Sequence, residues 1–196
     1  KGLELVYHPT PGLPEQVLVD PLRLGQIVTN LLSNAVKFTS QGSVVLKAGS
    51  PGEGEVLIEV RDTGMGISAH RRKAIFEPFH QEHGRIAQEF GGTGLGLSIC
   101  RELLSRMGGE LKLESEPGRG SRFAFFLPIK FVGESRLAEA RFHNPVHFLD
   151  VSPTQTAVLR QWTEFWGMEE VSQISPGVVV FAPVSTVEEL SQISGR

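Results

Sequence analysis

The sequence predicts an α+β fold, a two-layer α/β sandwich in which helices cover one face of a mixed β-sheet. Two segments of helical length carry apolar residues at three- and four-residue spacing, one beginning after Asp20 and one over Leu95–Met107. Shorter segments alternate apolar and polar residues, as half-buried strands do. They are Ser43–Gly49, Glu55–Arg61, Glu110–Ser115 and Ser121–Leu127.

The first helix has the clearest start signal. Asp20 is a good N-cap, and Pro21 occupies the first helical position, where its missing N–H is not needed. Two short strands, Leu3–His8 and Gln16–Val19, precede it on either side of a Pro/Gly turn. The apolar residues that follow Pro21 fall on one helix face and are predicted to be buried. They are Leu24, Ile27, Val28, Leu31, Leu32, Ala35 and Val36.

Turn residues separate the later elements. Residues 50–54 and 117–120 are rich in glycine and proline, so each predicts a turn between two paired strands. Gly108 and Gly109 end the second helix, because glycine readily adopts the conformation in which helices terminate. The first domain is therefore predicted over residues 1–130.

The chain changes character after Pro128, and we expect a linker over residues 131–143. Residues 144–196 then predict a second, partial α/β unit. Its expected elements are a strand at Val146–Leu149, a helix from Ser152 to Trp166, a strand at Val178–Phe181 and a last helix with a capping box at Ser185 and Glu188.

Composition excludes several classes of protein. With 40% hydrophobic residues, the 196-residue chain can form a core and is not disordered. Its 19 basic and 22 acidic residues are interspersed, which argues against a broad nucleic-acid-binding surface. The single cysteine excludes a disulfide framework and a cysteine-rich zinc site, and favours a reducing compartment.

No apolar run approaches the ~20 residues needed to cross a bilayer. Because the chain begins without Met or a signal-like segment, we expect it to be part of a longer protein.

A polar stripe runs along the first helix beside its apolar face. Asn30, Asn34 and Lys37 lie on one edge at helical spacing. Asparagine is a poor interior helix former, so two on one line suggest a function. Amide oxygens and an ammonium suit a hydrated Mg²⁺ and phosphates. A solvated polar edge is the alternative.

Asp62–Ile67, at the end of a predicted strand, offers a second candidate. Its glycines allow the backbone to approach a flat ligand, and Asp62 supplies an acceptor for an exocyclic amine. A simple strand-ending turn is the alternative. Further along, Phe76 and Phe79 flank Pro78 and could fix the base of a mobile loop, although such aromatics are often core residues.

The third candidate, Gly91–Leu97, leads directly into the second helix. Glycines before a helix N-terminus present free N–H groups and the positive end of the helix dipole to an anion. The segment is not a P-loop, since no Lys-Ser/Thr follows the last glycine, and its spacing does not fit a dinucleotide fingerprint. A flexible linker is the alternative.

In this order and spacing, the four segments resemble the catalytic ATP-binding domain of sensor histidine kinases, within the gyrase, heat-shock chaperone and mismatch-repair ATPase superfamily. Asn30–Thr39 resembles the N box, Asp62–Ile67 the first glycine box, Phe76–Phe79 the F box and Gly92–Leu97 the second glycine box. The resemblance covers about residues 1–130. It implies the Bergerat-type ATP-binding fold and, as cofactors, ATP and Mg²⁺.

The resemblance implies a role for each matching residue. Asn34 would coordinate Mg²⁺ with help from Asn30, while Lys37 would contact phosphate. Phe38 would pack near the adenine or ribose, and Asp62 would accept a hydrogen bond from the adenine amino group. The other positions in contact with nucleotide would be Gly64, Gly66, Ile67, Phe79, Gly92, Thr93, Gly94, Leu95, Gly96 and Leu97. Residues 80–91 would be the ATP lid, and its Arg85 would stabilise charge on the transferred phosphoryl group.

The chain departs from the family pattern in two places. Gln88 and Glu89 stand where such lids often carry a basic pair, which puts the catalytic rate in doubt more than ATP binding. The phosphoacceptor is also missing, because no histidine of the chain is followed directly by Asp or Glu or lies in a long helix before the N box. The histidine-containing dimerisation hairpin is therefore expected outside this chain.

Residues 144–196 resemble the beginning of a receiver domain, as in hybrid kinases. Asp150 matches one acidic pocket residue, but Val151 stands beside it where a second acid is usual. The later strand at Val178–Phe181 lacks an aspartate to accept phosphate. The segment therefore resembles a truncated or degenerate receiver, and an unrelated α/β extension is the alternative.

These observations predict the kinase domain of a two-component, hybrid sensor in the cytoplasm, with a dimerisation domain of the same sensor and a response regulator or receiver as partners. Another sensor kinase is a further possible partner, and no contact with nucleic acid or membrane is expected. An ATPase that hydrolyses ATP for conformational work is disfavoured, because Gln26 stands where its general base would be. The remaining alternative is a pseudokinase, with or without nucleotide, that regulates another kinase by docking.

Overall fold

The structure is a computed structural model that describes residues 1–11, 13–14, 16–52, 54–79, 94–131, 145–149, 151–173 and 179–181. The chain divides into two compact units, Lys1–Ser135 and Arg136–Arg196. The domain boundaries expected at residues 130 and 143 stay a prediction.

A five-stranded mixed sheet forms one layer of the first unit. Its strands are β1 (Glu4–Pro9), β3 (Ser43–Gly52), β4 (Glu55–Asp62), β5 (Glu110–Glu116) and β6 (Gly120–Pro128). They lie in the order β1-β3-β4-β6-β5. In this sheet β1 and β3 are parallel. The other three neighbouring pairs, β3 with β4, β4 with β6 and β6 with β5, are antiparallel.

Two α-helices form the second layer. Helix α1 (Pro21–Phe38) contacts β3 and β4, helix α2 (Gly96–Arg106) contacts β5, and the two helices contact each other. Ile27 and Leu31 of α1, Leu104 of α2 and Phe125 of β6 are at most 1% exposed, so the core lies between the layers. The predicted α+β sandwich is confirmed. At its N-terminus, α1 is capped by the Asp20 carboxylate, which accepts from the Leu22 and Arg23 N–H groups at 3.0 Å each.

The first two strands pair differently from what their sequence positions suggest. They flank one turn, yet β1 pairs with β3, while β2 (Val17–Leu18) pairs antiparallel with β7 (Lys130–Phe131). Since β7 directly follows β6, its pairing with β2 places the residues just before α1 beside the segment that leaves the five-stranded sheet. A 3₁₀ helix, Ala74–Phe76, follows β4.

The second unit contains β8 (Val146–Phe148), α3 (Pro153–Phe165) and β9 (Val179–Phe181). The two strands are parallel, and Ser152 caps the helix by accepting from the Gln155 N–H at 3.2 Å. The predicted order of strand, helix and strand is therefore present. The last helix, predicted from Ser185, lies outside the described residues, as does Asp150. Within the described part of the chain, none of the helices is both long enough and apolar enough to span a membrane.

Candidate functional site

Asp62, the last residue of β4, is a buried carboxylate only 6% exposed. The Gly64 N–H donates to its Oδ1 at 2.8 Å, which closes a tight turn at the end of the strand. Burial raises the pKa of Asp62 above its ordinary value of 3.8, although hydrogen bonds from Gly64, Ser121 and Thr39 oppose the shift. Its surroundings thus combine low exposure with several donors.

Three buried hydroxyl groups surround this carboxylate, and the sequence reasoning gave none of them a role. The Thr39 and Ser121 side chains lie close enough to Asp62 to oppose the rise in its pKa, and the Thr39 hydroxyl donates to the Ala35 carbonyl at 2.7 Å. The Ser121 and Ser115 hydroxyls lie 3.0 Å apart, and the Ser115 hydroxyl also accepts from the Ile67 N–H at 2.7 Å. A signal existed for Ser121, since it shares the buried face of β6 with Phe123 at a spacing of two.

The two glycines after Asp62 permit close backbone contacts. A Cβ at Gly64 would lie 2.4 Å from the Phe38 carbonyl oxygen and 2.9 Å from Asp62 Oδ1. A Cβ at Gly66, where φ is +69°, would lie 1.9 Å from the Glu116 carbonyl oxygen. The chain's own backbone therefore requires both glycines, whether or not a purine also lies there.

Asn30 joins α1 to the start of α2. Its Nδ2 donates to the Gly96 carbonyl at 2.8 Å and lies 3.5 Å from Cys100 Sγ. A Cβ at Gly96 would be 2.5 Å from Asn30 Oδ1, so only glycine leaves room for this amide. Burial raises the pKa of the Cys100 thiol to about 11, so the thiol stays protonated beside the amide.

The N-terminus of α2 has no side-chain cap. Leu95 occupies the N-cap position without a side-chain hydrogen bond, and Gly94 before it has a φ of +68°. The Ser98 hydroxyl donates to the Leu95 carbonyl, while Leu97 packs against the core. An uncapped N-terminus presents N–H groups and the positive end of the helix dipole to an anion.

The other predicted site residues of α1, Asn34 and Lys37, lie between Asn30 and the C-terminal end of the helix. Asn34 is half-buried, and no hydrogen bond joins its side chain to any residue that the structure describes. Lys37 Nζ lies 4.8 Å from the centroid of the Phe38 ring. Asn34 therefore offers a carboxamide oxygen, a suitable ligand for Mg²⁺.

The F-box and lid positions are only partly described. Phe76 packs against the core and lies beneath Arg101, whose guanidinium carbon is 5.7 Å from the ring centroid. Phe79 is 75% exposed. Its φ is 61°, and among the residues that the structure describes it is the only non-glycine with a positive φ. Arg85, Gly92, Thr93 and the expected lid at residues 80–91 lie outside the described residues.

The two ends of the site are spaced along one helix. Phe38 follows Asn30 by eight residues, which corresponds to about 12 Å of helix. A buried carboxylate, that of Asp62, thus lies near one end, while the N-terminus of α2 lies near the other. Amide and carboxylate oxygens, a lysine and the N-terminal N–H groups of a helix form a set that fits a nucleoside triphosphate with Mg²⁺.

A family comparison agrees with this arrangement. The model described as "Histidine kinase-, DNA gyrase B-, and HSP90-like ATPase" matches residues 19–130, which include α1, Asp62 and α2. More than half of the chain is matched, so the chain belongs to this family, and its first unit is an ATP-binding ATPase domain of the histidine kinase type.

Three curated relatives that are similar to this chain are sensor or signal-transduction proteins. The chain is 44% identical over 129 residues to the Sensor histidine kinase RcsC of Escherichia coli K12 and 41% identical over 131 residues to the Signal transduction histidine-protein kinase BarA of the same strain. It is 42% identical over 140 residues to the Sensor protein GacS of Pseudomonas syringae pv. syringae. These matches cover 65–69% of this chain but only 14–15% of each relative.

Two solved structures are also similar to this chain in sequence and fold. Full-length ShkA in complex with AMPPNP is 31% identical with a TM-score of 0.71, over 97% of this chain and 37% of that one. The mycobacterial sensor histidine kinase MprB is 28% identical with a TM-score of 0.55, over 66% of this chain and 84% of that one.

Proposed function

We propose that this chain is the catalytic domain of a two-component, hybrid sensor histidine kinase, which transfers the γ-phosphoryl group of ATP to a histidine on a dimerisation hairpin absent from these residues. The observation that carries the proposal is the hydrogen bond between Asn30 and Gly96. It holds the uncapped N-terminus of α2 beside the polar edge of α1, at one end of a site whose other end is Asp62.

Asp62 would recognise the base. Its carboxylate would accept a hydrogen bond from the adenine amino group, while Phe38 and Phe79 would cover the adenine or ribose. Gly64, Gly66 and Ile67 would form the floor beneath the purine. The Gly64 N–H, which donates to Oδ1 at 2.8 Å, would hold the carboxylate in one orientation, with the buried hydroxyls of Thr39 and Ser121 beside it.

The phosphates would lie between α1 and α2. Lys37 would contact them directly, and the backbone N–H groups at the start of α2 would bind them from the other side. The positions proposed there are Gly92, Thr93, Gly94, Leu95, Gly96 and Leu97. Asn34, with Asn30 beside it, would hold Mg²⁺, which neutralises charge on the phosphates when bound.

Transfer would break the bond between the γ-phosphorus and the bridging oxygen, leaving ADP, while a phosphorus–nitrogen bond forms at the acceptor imidazole and its proton is lost. Arg85 would stabilise charge on the transferred group. Gln26 is exposed and accepts from Arg23 Nη1 at 3.2 Å. As a neutral amide it cannot act as a general base towards water, which favours transfer over hydrolysis.

The partners follow from this proposal. They are the dimerisation domain of the same sensor and a response regulator or receiver domain, on the cytoplasmic side of a membrane-anchored sensor. Residues 144–196 would be a degenerate receiver-like segment that accepts no phosphate. The match to ShkA covers 97% of the chain, so it extends into this segment and supports its place in such a kinase.

Phosphotransfer to a supplied hairpin tests the proposal. The chain is incubated with Mg²⁺ and radiolabelled ATP, with or without the dimerisation hairpin of the same protein. We expect acid-labile, alkali-stable phosphate on the hairpin and none on the chain alone. Asn34→Ala should reduce the rate about 100-fold or more, because phosphoryl transfer depends on positioning and charge neutralisation.

A hairpin whose acceptor histidine is changed to Gln provides the matched control and should take up no label. A chain that binds nucleotide but never labels the intact hairpin would contradict the proposal. That outcome would favour the pseudokinase alternative, a module that regulates another kinase by docking.

A further inference from the structure

The C-terminal turn of α1 has a complete set of hydrogen-bond partners, and one side chain supplies most of them. Lys1 Nζ donates to the carbonyls of Val36 at 2.8 Å, Lys37 at 2.9 Å and Thr39 at 3.4 Å. Carbonyls in the last turn of a helix have no partner within the helix, and a cation there also opposes the negative end of the helix dipole. Lys1 therefore caps α1.

The remaining carbonyls of this turn connect to the Asp62 loop. The Phe38 carbonyl accepts from the Met65 N–H at 3.3 Å, and the Ala35 carbonyl accepts from the Thr39 hydroxyl at 2.7 Å. Thr39 Oγ1 also lies near Asp62, since both Thr39 Oγ1 and Asp62 Oδ1 are within 3 Å of the Cβ position of Gly64. The last turn of α1 thus lies between Lys1 on one side and the loop that follows β4 on the other.

Close packing leaves this turn little freedom to move independently of the loop. The Phe38 carbonyl oxygen and Thr39 Oγ1 would lie only 2.4 Å and 2.8 Å from a Cβ at Gly64. The turn and the loop therefore pack closely at Gly64, whose N–H bonds to Asp62 Oδ1, and they are joined by the bond from the Met65 N–H to the Phe38 carbonyl. A fixed turn keeps the Asp62 carboxylate in place.

We infer that Lys1 is a positioning residue for the base-recognition end of the nucleotide site, acting through Phe38 and Thr39 on Asp62 and Gly64. The inference rests on the proposed nucleotide-binding function. Lys1 contacts no nucleotide in this account, and its ammonium acts by holding carbonyl groups. Without it, water would solvate the Val36 and Lys37 carbonyls and the last turn would open more often.

The test compares Lys1→Met, Lys1→Arg and Lys130→Met with the wild-type 196-residue chain. Lys130 is also exposed, and it lies on β7, whose partner β2 precedes the opposite, N-terminal end of α1, so Lys130→Met is the matched control. Affinity for ADP and for GDP is measured by calorimetry with Mg²⁺. Amide hydrogen exchange is followed at Gly64 and Met65, whose N–H groups report the loop directly.

We expect Lys1→Met to weaken ADP binding about twofold to fivefold, the range for losing an exposed charged contact at a helix end, and to reduce the preference for ADP over GDP. Exchange at Gly64 and Met65 should accelerate, while amides in β5 and β6 keep their protection. Lys1→Arg should restore part of both effects, and Lys130→Met should match the wild type.

Wild-type ADP affinity and unchanged exchange in Lys1→Met would overturn the inference and leave the proposed function intact. Acceleration spread evenly over the whole sheet would also overturn it, because that indicates a general loss of stability. Absence of nucleotide binding by the wild type would instead show that the proposed function fails, and the inference fails with it.

Discussion

Asp62 should leave a signature in the pH dependence of stability. Burial raises its pKa above 3.8, so the folded state holds the proton more tightly than the unfolded state. Protonated Asp62 therefore contributes stability that is fully present below pH 3.8 and is lost as pH rises through the raised folded pKa. Above that value, the ionised carboxylate costs stability in the folded protein.

Asp62→Asn removes this titration without much change in shape. We expect the free energy of unfolding of the variant, relative to wild type, to increase as pH rises above 3.8 and then to level off. Urea unfolding of both proteins from about pH 3 to pH 7 measures this difference, in which the other carboxylates cancel. A difference that stays constant across this range would contradict the account of Asp62.

At this scale the sequence indicated some site residues and not others. Asn30 and Asp62 could be singled out as candidates, whose roles towards nucleotide stay predictions, because an asparagine inside a helix and an acid before glycines are unusual. Thr39 and Ser115 could not, because a hydroxyl at a helix end or in a strand serves many purposes. Only the fold brings both into one hydrogen-bonded group with Ser121.

The contact between α1 and α2 depends on Gly96, and Gly25, in open surroundings on α1, provides the comparison. A Cβ at Gly96 would lie 2.5 Å from Asn30 Oδ1, whereas Gly25 in α1 has no atom within 4 Å of its Cβ position. Gly96→Ala must turn the Asn30 amide away and break its bond to the Gly96 carbonyl. We expect a loss of about 1 kcal/mol in stability and about tenfold weaker nucleotide binding.

Gly25→Ala is the matched control. Replacing glycine with alanine in an exposed helix interior raises stability by about 0.5–1 kcal/mol, so this variant should be more stable than the wild type. Thermal unfolding and calorimetry with ADP, made on both variants, separate the two effects. Equal nucleotide affinities in Gly96→Ala and wild type would show that the Asn30 bond does not position the site.

Element boundaries followed from local signals, while strand pairing did not. Asp20 and Pro21 predicted the start of α1, and its bounds agree with that signal. The partners of β1 and β2 are β3 and β7, which are remote in sequence from the turn that the two strands flank. Pairing of this kind depends on which edges the core leaves available, and a local pattern carries no information about it.

For the whole molecule, the site residues that the structure describes all lie within the first unit, Lys1–Ser135. The order of strand, helix and strand in the second unit followed from its alternating pattern. Its likeness to a receiver stays a prediction, because that likeness depends on acidic residues, and Asp150 lies outside the described residues.

Nucleotide binding by the whole chain tests the central claim most directly. Calorimetry with ADP and a non-hydrolysable ATP analogue is made with and without Mg²⁺, on wild type and Asp62→Asn. The account predicts binding at about micromolar concentration that depends on Mg²⁺ and is weakened at least about tenfold in the variant. Absence of binding by the wild type at millimolar nucleotide, or equal binding by the folded variant, would contradict it.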